Sequence, residues 1–155
     1  MEIDIPGYGL LRVNHLVMDY NGTLAVDGRL ADGVKASLNR LAAHIKLHVI
    51  TADTFGKAAK GIEGVDCTLQ ILTGQDHGAA KRDFVKSLGA SETVSIGNGR
   101  NDRQMLETAR IGIAVMLEEG TATETLMTAD IVCPSILSAL SLLENPLRLK
   151  ATLRS

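Results

Sequence analysis

The sequence predicts an α/β fold of three layers, a doubly wound parallel sheet with helices on both faces. Three observations predict it. Short apolar runs alternate with segments of helical period, the pattern that successive βαβ units leave in a sequence. Apolar residues make up 45% of the chain and aromatics only 3%, so the interior must be built from Leu, Ile, Val and Ala. At 155 residues the chain is long enough to bury such a core as one domain. The expected division is a hairpin in residues 1–13, the core in 14–133 and a helical tail in 134–155.

In chain order, "EIDI-PGYG-LLRV" reads as two short strands with Pro6-Gly7 in their turn. "HLVMD" at 15–19 is the first parallel strand. Leu30, Val34, Leu38, Leu41 and Ile45 fall on one helical face and predict the first helix. Strands follow at 46–51 "KLHVIT" and 67–72 "CTLQIL". Ala80, Phe84 and Leu88, with Val85 beside them, predict a helix that carries Lys81 near its start. Strands at 92–96 "ETVSI", 111–115 "IGIAV" and 130–132 "DIV" complete the sheet. Ile136, Leu137, Leu140 and Leu143 mark a last helix, which Asn145-Pro146 interrupts before a basic tail of Arg148, Lys150 and Arg154.

Bulk properties exclude several classes of partner. A formal net charge of -2 offers no basic face to nucleic acid or to an anionic membrane. No apolar run approaches the roughly 18 residues of a membrane span. The start of the chain, "MEIDIPGYG", is acidic and turn-rich rather than a secretory leader. Cys67 and Cys133 stand far apart without metal-ligand spacing, as expected for buried thiols in a reducing cytoplasm.

Chemistry is expected where three strands end. In open parallel sheets ligands bind beyond the carboxyl ends of the strands. Asp19, Thr51 and the loop after Ile96 all lie at such ends, with Lys81 nearby and "GNGRND" spanning Gly97 to Asp102. A carboxylate can attack phosphorus and form an acyl phosphate. A hydroxyl and an ammonium can hold the phosphoryl oxygens. Oxygen ligands from Asp19 and the glycine loop suit Mg²⁺, a hard cation that keeps several waters. Gly97 and Gly99 let backbone come close to metal and phosphate.

These residues carry a specific resemblance. "DYNGTL" resembles the nucleophile motif of the haloacid dehalogenase (HAD) superfamily, and more narrowly the phosphorylation domain of P-type ATPases. "ITAD" is similar to that family's Thr-Gly-Asp segment at Thr51 and Asp53, and "KRDFVKSL" to its lysine helix at Lys81. "IGNGRND" with the following "IGIAV", "GTA" and "ADIV" is similar to its metal loop. Four motifs in order, from residue 14 to about 133, make the match specific. The resemblance implies a Rossmann-like HAD fold and Asp19, Thr51 and Lys81 as catalytic groups. It implies Tyr20, Asn21, Thr51, Ala52 and Lys81 around a phosphate. A Mg²⁺ ion would be held by Asp19, the Asn21 carbonyl, Asn98 and Asp102, with Gly22, Thr23, Asp53, Gly97, Gly99 and Asn101 in support. The short segments after Thr23 and after Leu72 leave no room for a cap domain. An uncovered site implies a macromolecular phosphate, or a homo-oligomer in which a neighbour lends the lid. Octulosonate-phosphate phosphatases, also capless, resemble this layout but keep two acids that are absent here.

Those two positions are Asn21 and Asn98. The family's phosphatases carry an acid/base aspartate two residues after the nucleophile, where this chain has Asn21. Loss of such a group costs on the order of 10²–10⁴ in rate. Good leaving groups suffer least, so the expectation is a preference for acyl and aryl phosphates and a persistent phosphoenzyme. Asn98 in place of the metal-loop aspartate predicts weaker metal binding. The competing function is a catalytically degenerate domain that binds phosphate or a protein. A two-component receiver is excluded, because no acidic pair follows the first strand.

Structural roles compete at single positions. Asp19 could terminate its strand in an Asx turn. Thr51 and Asp53 could cap the next helix, and Lys81 could be solvated beside Arg82 and Lys86. Asn98 and Asn101 suit left-handed turn positions. Arg100 reads as solvated, and His15, His44, His48 and His77 as structural or surface residues.

Overall fold

The computed structural model describes residues 1–53 and 56–155. Thr54 and Phe55, in the stretch after Asp53, lie outside the described residues. A hairpin of β1 (Glu2–Ile5) and β2 (Gly9–Arg12) precedes β3 (His15–Asp19). A second, smaller hairpin follows, β4 (Ala25–Val26) and β5 (Arg29–Leu30). The chain continues as α1 (Val34–Ala42), β6 (Lys46–Thr51), α2 (Lys57–Gly61), β7 (Thr68–Ile71) and α3 (His77–Leu88). It ends as β8 (Thr93–Gly97), α4 (Arg103–Thr108), β9 (Ile111–Val115), α5 (Thr123–Thr128), β10 (Ile131–Cys133), α6 (Ile136–Glu144) and α7 (Pro146–Leu153).

Six strands form one sheet in the order β10-β9-β8-β3-β6-β7, and every pairing is parallel. From β3 the chain winds outward through β6 to β7, then returns to the other side of β3 and winds through β8 and β9 to β10. The reversal places a crevice at the carboxyl ends of β3 and β8, where such sheets bind ligands. No cap domain is inserted among the described residues. The segment after Asp19 forms only the β4–β5 hairpin, and no helix is long and apolar enough to cross a membrane.

Strand parity sets the site. Leu16 and Met18 point into the larger core, which α1 and α6 cover with Val34, Leu38, Leu41, Ile136, Leu140 and Leu143. Val17 points the other way, into the smaller core with Ile50, Val85, Met105 and Leu106. Asp19 shares its parity with Val17 and therefore faces the α3 side of the sheet. On α3, Lys81 and Val85 are one turn apart and are the buried members of the helix. The same stripe that anchors the helix thus delivers an ammonium to the end of β3.

Two predicted elements differ. Leu30 belongs to β5, not to the first helix, because Gly33 at φ 83 sits between it and the first helical turn. Leu137 is 41% exposed, and the buried face of α6 runs through Ile136, Ala139, Leu140 and Leu143. Lys81 is placed in the second turn of α3, whose N-terminus Asp76 caps by accepting the Ala79 N–H at 2.9 Å.

Candidate active site

Asp19, at the end of β3, is 7% exposed, and Asp102 and Lys81 are 0% and 1% exposed. Lys81 Nζ donates to Asp19 Oδ1 and to Asp102 Oδ1, each at 2.6 Å. The remaining oxygen of Asp102, Oδ2, accepts the backbone N–H groups of Asn98 (3.0 Å) and Gly99 (2.8 Å). Gly97 is required by this packing, since a Cβ there would lie 2.6 Å from the Cβ of Asp102. The glycine loop is therefore folded around a carboxylate, which is held by one ammonium and two amides.

Two buried carboxylates share one lysine, and the imbalance shows in the titration of Asp19. Burial, and then the charge of Asp102, push the Asp19 carboxyl up to about 7, against the opposing pull of Lys81. Burial works to lower the pKa of Lys81, but the two carboxylates outweigh it and raise it. The cluster is one positive charge short when all three groups are ionised.

Thr51 is buried at the end of β6, and its Oγ1 accepts the Asp53 N–H at 3.1 Å. The hydroxyl proton is left to point elsewhere. Asp53 Oδ2 accepts the Ala58 N–H at 2.7 Å in the first turn of α2, so the helix-capping role is realised there. Asn21 and Ala52 are exposed at the mouth. The Tyr20 side chain is not at the mouth: it is fully buried, with its hydroxyl reaching Gly28 O (3.3 Å) and Lys57 O (3.4 Å). A Cβ on Gly61 would lie 2.0 Å from that hydroxyl. Tyr20 thereby ties the β4–β5 hairpin to α2.

The left-handed reading of Asn98 and Asn101 is wrong. Among the described non-glycine residues only Asp27 has positive φ, at 51°, and it forms the hairpin turn with Gly28 at 76°. Asn98 instead uses its side chain, accepting from the Thr23 hydroxyl (3.1 Å) and donating to Gly120 O (2.9 Å). Asn101 is exposed, and Arg100 pairs with Glu124 at the surface. Glu119, which accepts the Asp27 N–H at 2.9 Å, went unnoticed in the sequence, where nothing marks it. So did the contact of His15 Nδ1 with His48 Nε2 at 3.0 Å beneath Phe84.

Among the described residues no group of three or more His, Cys, Asp or Glu side chains stands in a metal-binding arrangement. The nearby donors are all oxygen: the carboxylates of Asp19 and Asp102 meet at Lys81, and the amide oxygen of Asn98 lies on the Thr23 hydroxyl. A deficit of positive charge and an all-oxygen set fit a hard divalent cation that retains most of its water.

No family model matches the chain. The uncharacterized protein MJ0073 of Methanocaldococcus jannaschii is 48% identical over 61 residues, 39% of this chain and 66% of that protein. The uncharacterized protein MJ0072 of the same organism is 38% identical over 39 residues, 25% of this chain and 89% of that protein. The chain belongs to the family of MJ0072. Among solved structures, the 3-deoxy-D-manno-octulosonate 8-phosphate phosphatase of Moraxella catarrhalis, in complex with magnesium ion, phosphate ion and KDO, is 18% identical. The match covers 92% of this chain and 94% of that one, with a TM-score of 0.71. The cobalt-bound form of the corresponding phosphatase of Haemophilus influenzae is 14% identical over 93% and 94% of the two chains, with a TM-score of 0.72. A phosphoserine phosphatase in apo form matches 86% of this chain and 99% of its own, at 13% identity and a TM-score of 0.65. The fold is HAD-like.

Proposed function

We propose that the chain is a cytoplasmic, Mg²⁺-dependent phosphohydrolase or phosphotransferase that works through a phosphoaspartate on Asp19 and prefers activated phosphates. Within the HAD superfamily, the resemblance of "DYNGTL" and "GNGRND" supports a reading beside the capless, soluble relatives of the P-type ATPase phosphorylation domain. The observation that carries the reading is the Lys81 ammonium at 2.6 Å from both Asp19 and Asp102, at the topological switch point of the sheet. The phosphatase structures of the same fold support it.

Asp19 attacks phosphorus with the oxygen that Lys81 does not hold. An O–P bond forms, and the bond from phosphorus to the leaving group breaks with its electron pair on the leaving oxygen. Lys81 keeps the other Asp19 oxygen in place and neutralises charge on the phosphoryl group, and Thr51 offers its free proton to a phosphoryl oxygen. Mg²⁺ held by Asp19, Asp102, the Asn98 amide oxygen and the Asn21 carbonyl would screen the phosphoryl charge. Asn21 has no proton to give at neutral pH, so the leaving group departs as an anion. Acyl and aryl phosphates satisfy that demand, and alkyl phosphates do not. The same amide cannot activate water, so the phosphoaspartate is expected to persist. The open mouth suits a phosphorylated macromolecule, or a small phosphate covered by a second copy of the chain.

Intact-mass measurement after incubation with acetyl phosphate and Mg²⁺ tests this, with the Asp19→Asn variant alongside. The expected result is one phosphoryl adduct in the wild type only. Absence of both adduct and phosphate release would favour a degenerate, phosphate- or protein-binding domain, the reading to which Asn21 and Asn98 would then belong.

A further inference from the structure

The side chain of Asn98 is committed at both ends. A carbonyl only accepts, so the contact with Gly120 O identifies the nitrogen end of the amide. The oxygen end accepts from the Thr23 hydroxyl at the base of the β4–β5 hairpin. One residue before Gly120, Glu119 Oε1 accepts the N–H of Asp27, at the tip of the same hairpin. The contacts close a ring: Thr23 to Asn98, Asn98 to Gly120, Glu119 to Asp27, and back along the hairpin.

Further contacts stiffen the ring. The Ala122 N–H donates to Asn98 O at 2.9 Å, and the Thr121 hydroxyl donates to Val115 O at 2.6 Å. A Cβ on Gly22 would lie 2.3 Å from Asn98 Nδ2, so the amide is packed against the backbone that follows the nucleophile. On its other side the hairpin is held through the Tyr20 hydroxyl at Gly28 O.

We infer that Asn98 and Glu119 are positioning residues, which fix the β4–β5 hairpin as a wall beside Asp19. In naming that wall as part of a phosphate site, the inference rests on the function proposed above. An aspartate at 98 would set a carboxylate against the Gly120 carbonyl with no proton between them. The amide alone holds Thr23 and Gly120 together. Asn98 thus gives up a charge at the metal site and gains a fixed hairpin.

Amide hydrogen exchange on the metal-free full chain tests the ring, with Asn98→Asp, Glu119→Ala, Glu119→Gln and the double variant Asn98→Asp/Glu119→Ala. Exchange at the Asp27 amide should quicken about fivefold to tenfold in Asn98→Asp and in Glu119→Ala, the scale of one lost hydrogen bond. Glu119→Gln should keep wild-type protection, because its amide oxygen accepts the same N–H. The double variant should exchange no faster than the faster single variant, since both open one ring. Wild-type protection at Asp27 in Asn98→Asp would overturn the inference, as would two effects that multiply in the double variant. With para-nitrophenyl phosphate, Glu119→Ala should raise KM several-fold with kcat nearly unchanged, and a fall in kcat alone would refute the wall. Absence of turnover in the wild type would refute the catalytic reading and leave the exchange result to decide the ring.

Discussion

Replacing Lys81 with methionine removes the ammonium that lies between Asp19 and Asp102 while filling about the same volume. All three residues are almost wholly buried. Breaking a buried ion pair by deleting one partner costs about 3–5 kcal/mol, because the survivor is left uncompensated. Here two carboxylates survive, and the folded protein can limit the damage by protonating Asp19. In the wild type the Asp19 pKa, at about 7, already lies above its unfolded value. The folded state therefore binds the extra proton between about pH 4 and 7, and stability from this group falls as pH rises through that window and levels off above it. Without Lys81 the folded pKa moves higher still, so the decline continues past pH 7. Lys81→Met should be about 3 kcal/mol less stable than wild type at pH 7, and the gap should widen by about 1.4 kcal/mol per pH unit toward pH 9. Urea unfolding at pH 7, 8 and 9 without divalent metal measures it. A gap that stays constant with pH, or below about 1 kcal/mol, would show that the charges are not coupled as the distances require.

Two other outcomes follow from the same structure. The pKa of His48 is lowered to about 4 by burial first, then by His15 and Lys46. Its folded state resists a proton that the unfolded chain accepts near 6.5, so its contribution to stability is present above pH 6.5 and is lost as pH falls toward 4. After discounting for solvent screening the loss is about 1–2 kcal/mol. Asp19 tilts stability in the opposite sense over part of this range. The readout is therefore the difference between wild type and His48→Gln in urea midpoints from pH 7 to 4.5, which should shrink as pH falls. Asn21→Asp restores a carboxylate at an exposed position, so stability should change by less than about 0.5 kcal/mol. Decay of the phosphoenzyme, followed by mass after removal of acetyl phosphate, should accelerate by a factor on the order of 10²–10⁴. An unchanged decay would mean that the amide at 21 is not what slows water.

Much of the sheet could be read directly. Strands 15–19, 46–51 and 111–115 lie at the residues predicted, because strands buried on both faces appear as uninterrupted apolar runs. The approach of Lys81 to Asp19 was legible in outline, since a strand end and a helix stripe are both periodic features. What could not be read depends on contacts without period. Leu30 stands four residues before Val34 and mimics a helical turn, and only the conformation of Gly33 separates them. Tyr20 beside Asp19 looks like a mouth residue until its hydroxyl is found at Gly28 and Lys57. The role of Asn98 is set by a carbonyl 22 residues further on, and no local pattern specifies it.

The two amides that make the sequence look impaired are not equivalent. Asn21 is exposed, and among the described residues its side chain has no hydrogen bond that its acid would lose, so on the proposed function its effect would fall on proton transfer. Asn98 is buried, 7% exposed, beside two carboxylates that already share a single lysine. A third carboxylate there would raise Asp19 further from its ordinary range and oppose the Gly120 carbonyl, with Lys81 already shared between two acids. An amide at 98 holds the charge deficit of the metal-free site to that of two carboxylates on one lysine. On the function proposed above, weaker metal affinity would be the counterpart. Transfer at such a site would, on that same proposal, lean on Lys81 and on a good leaving group, which is where the loss at Asn21 would also point.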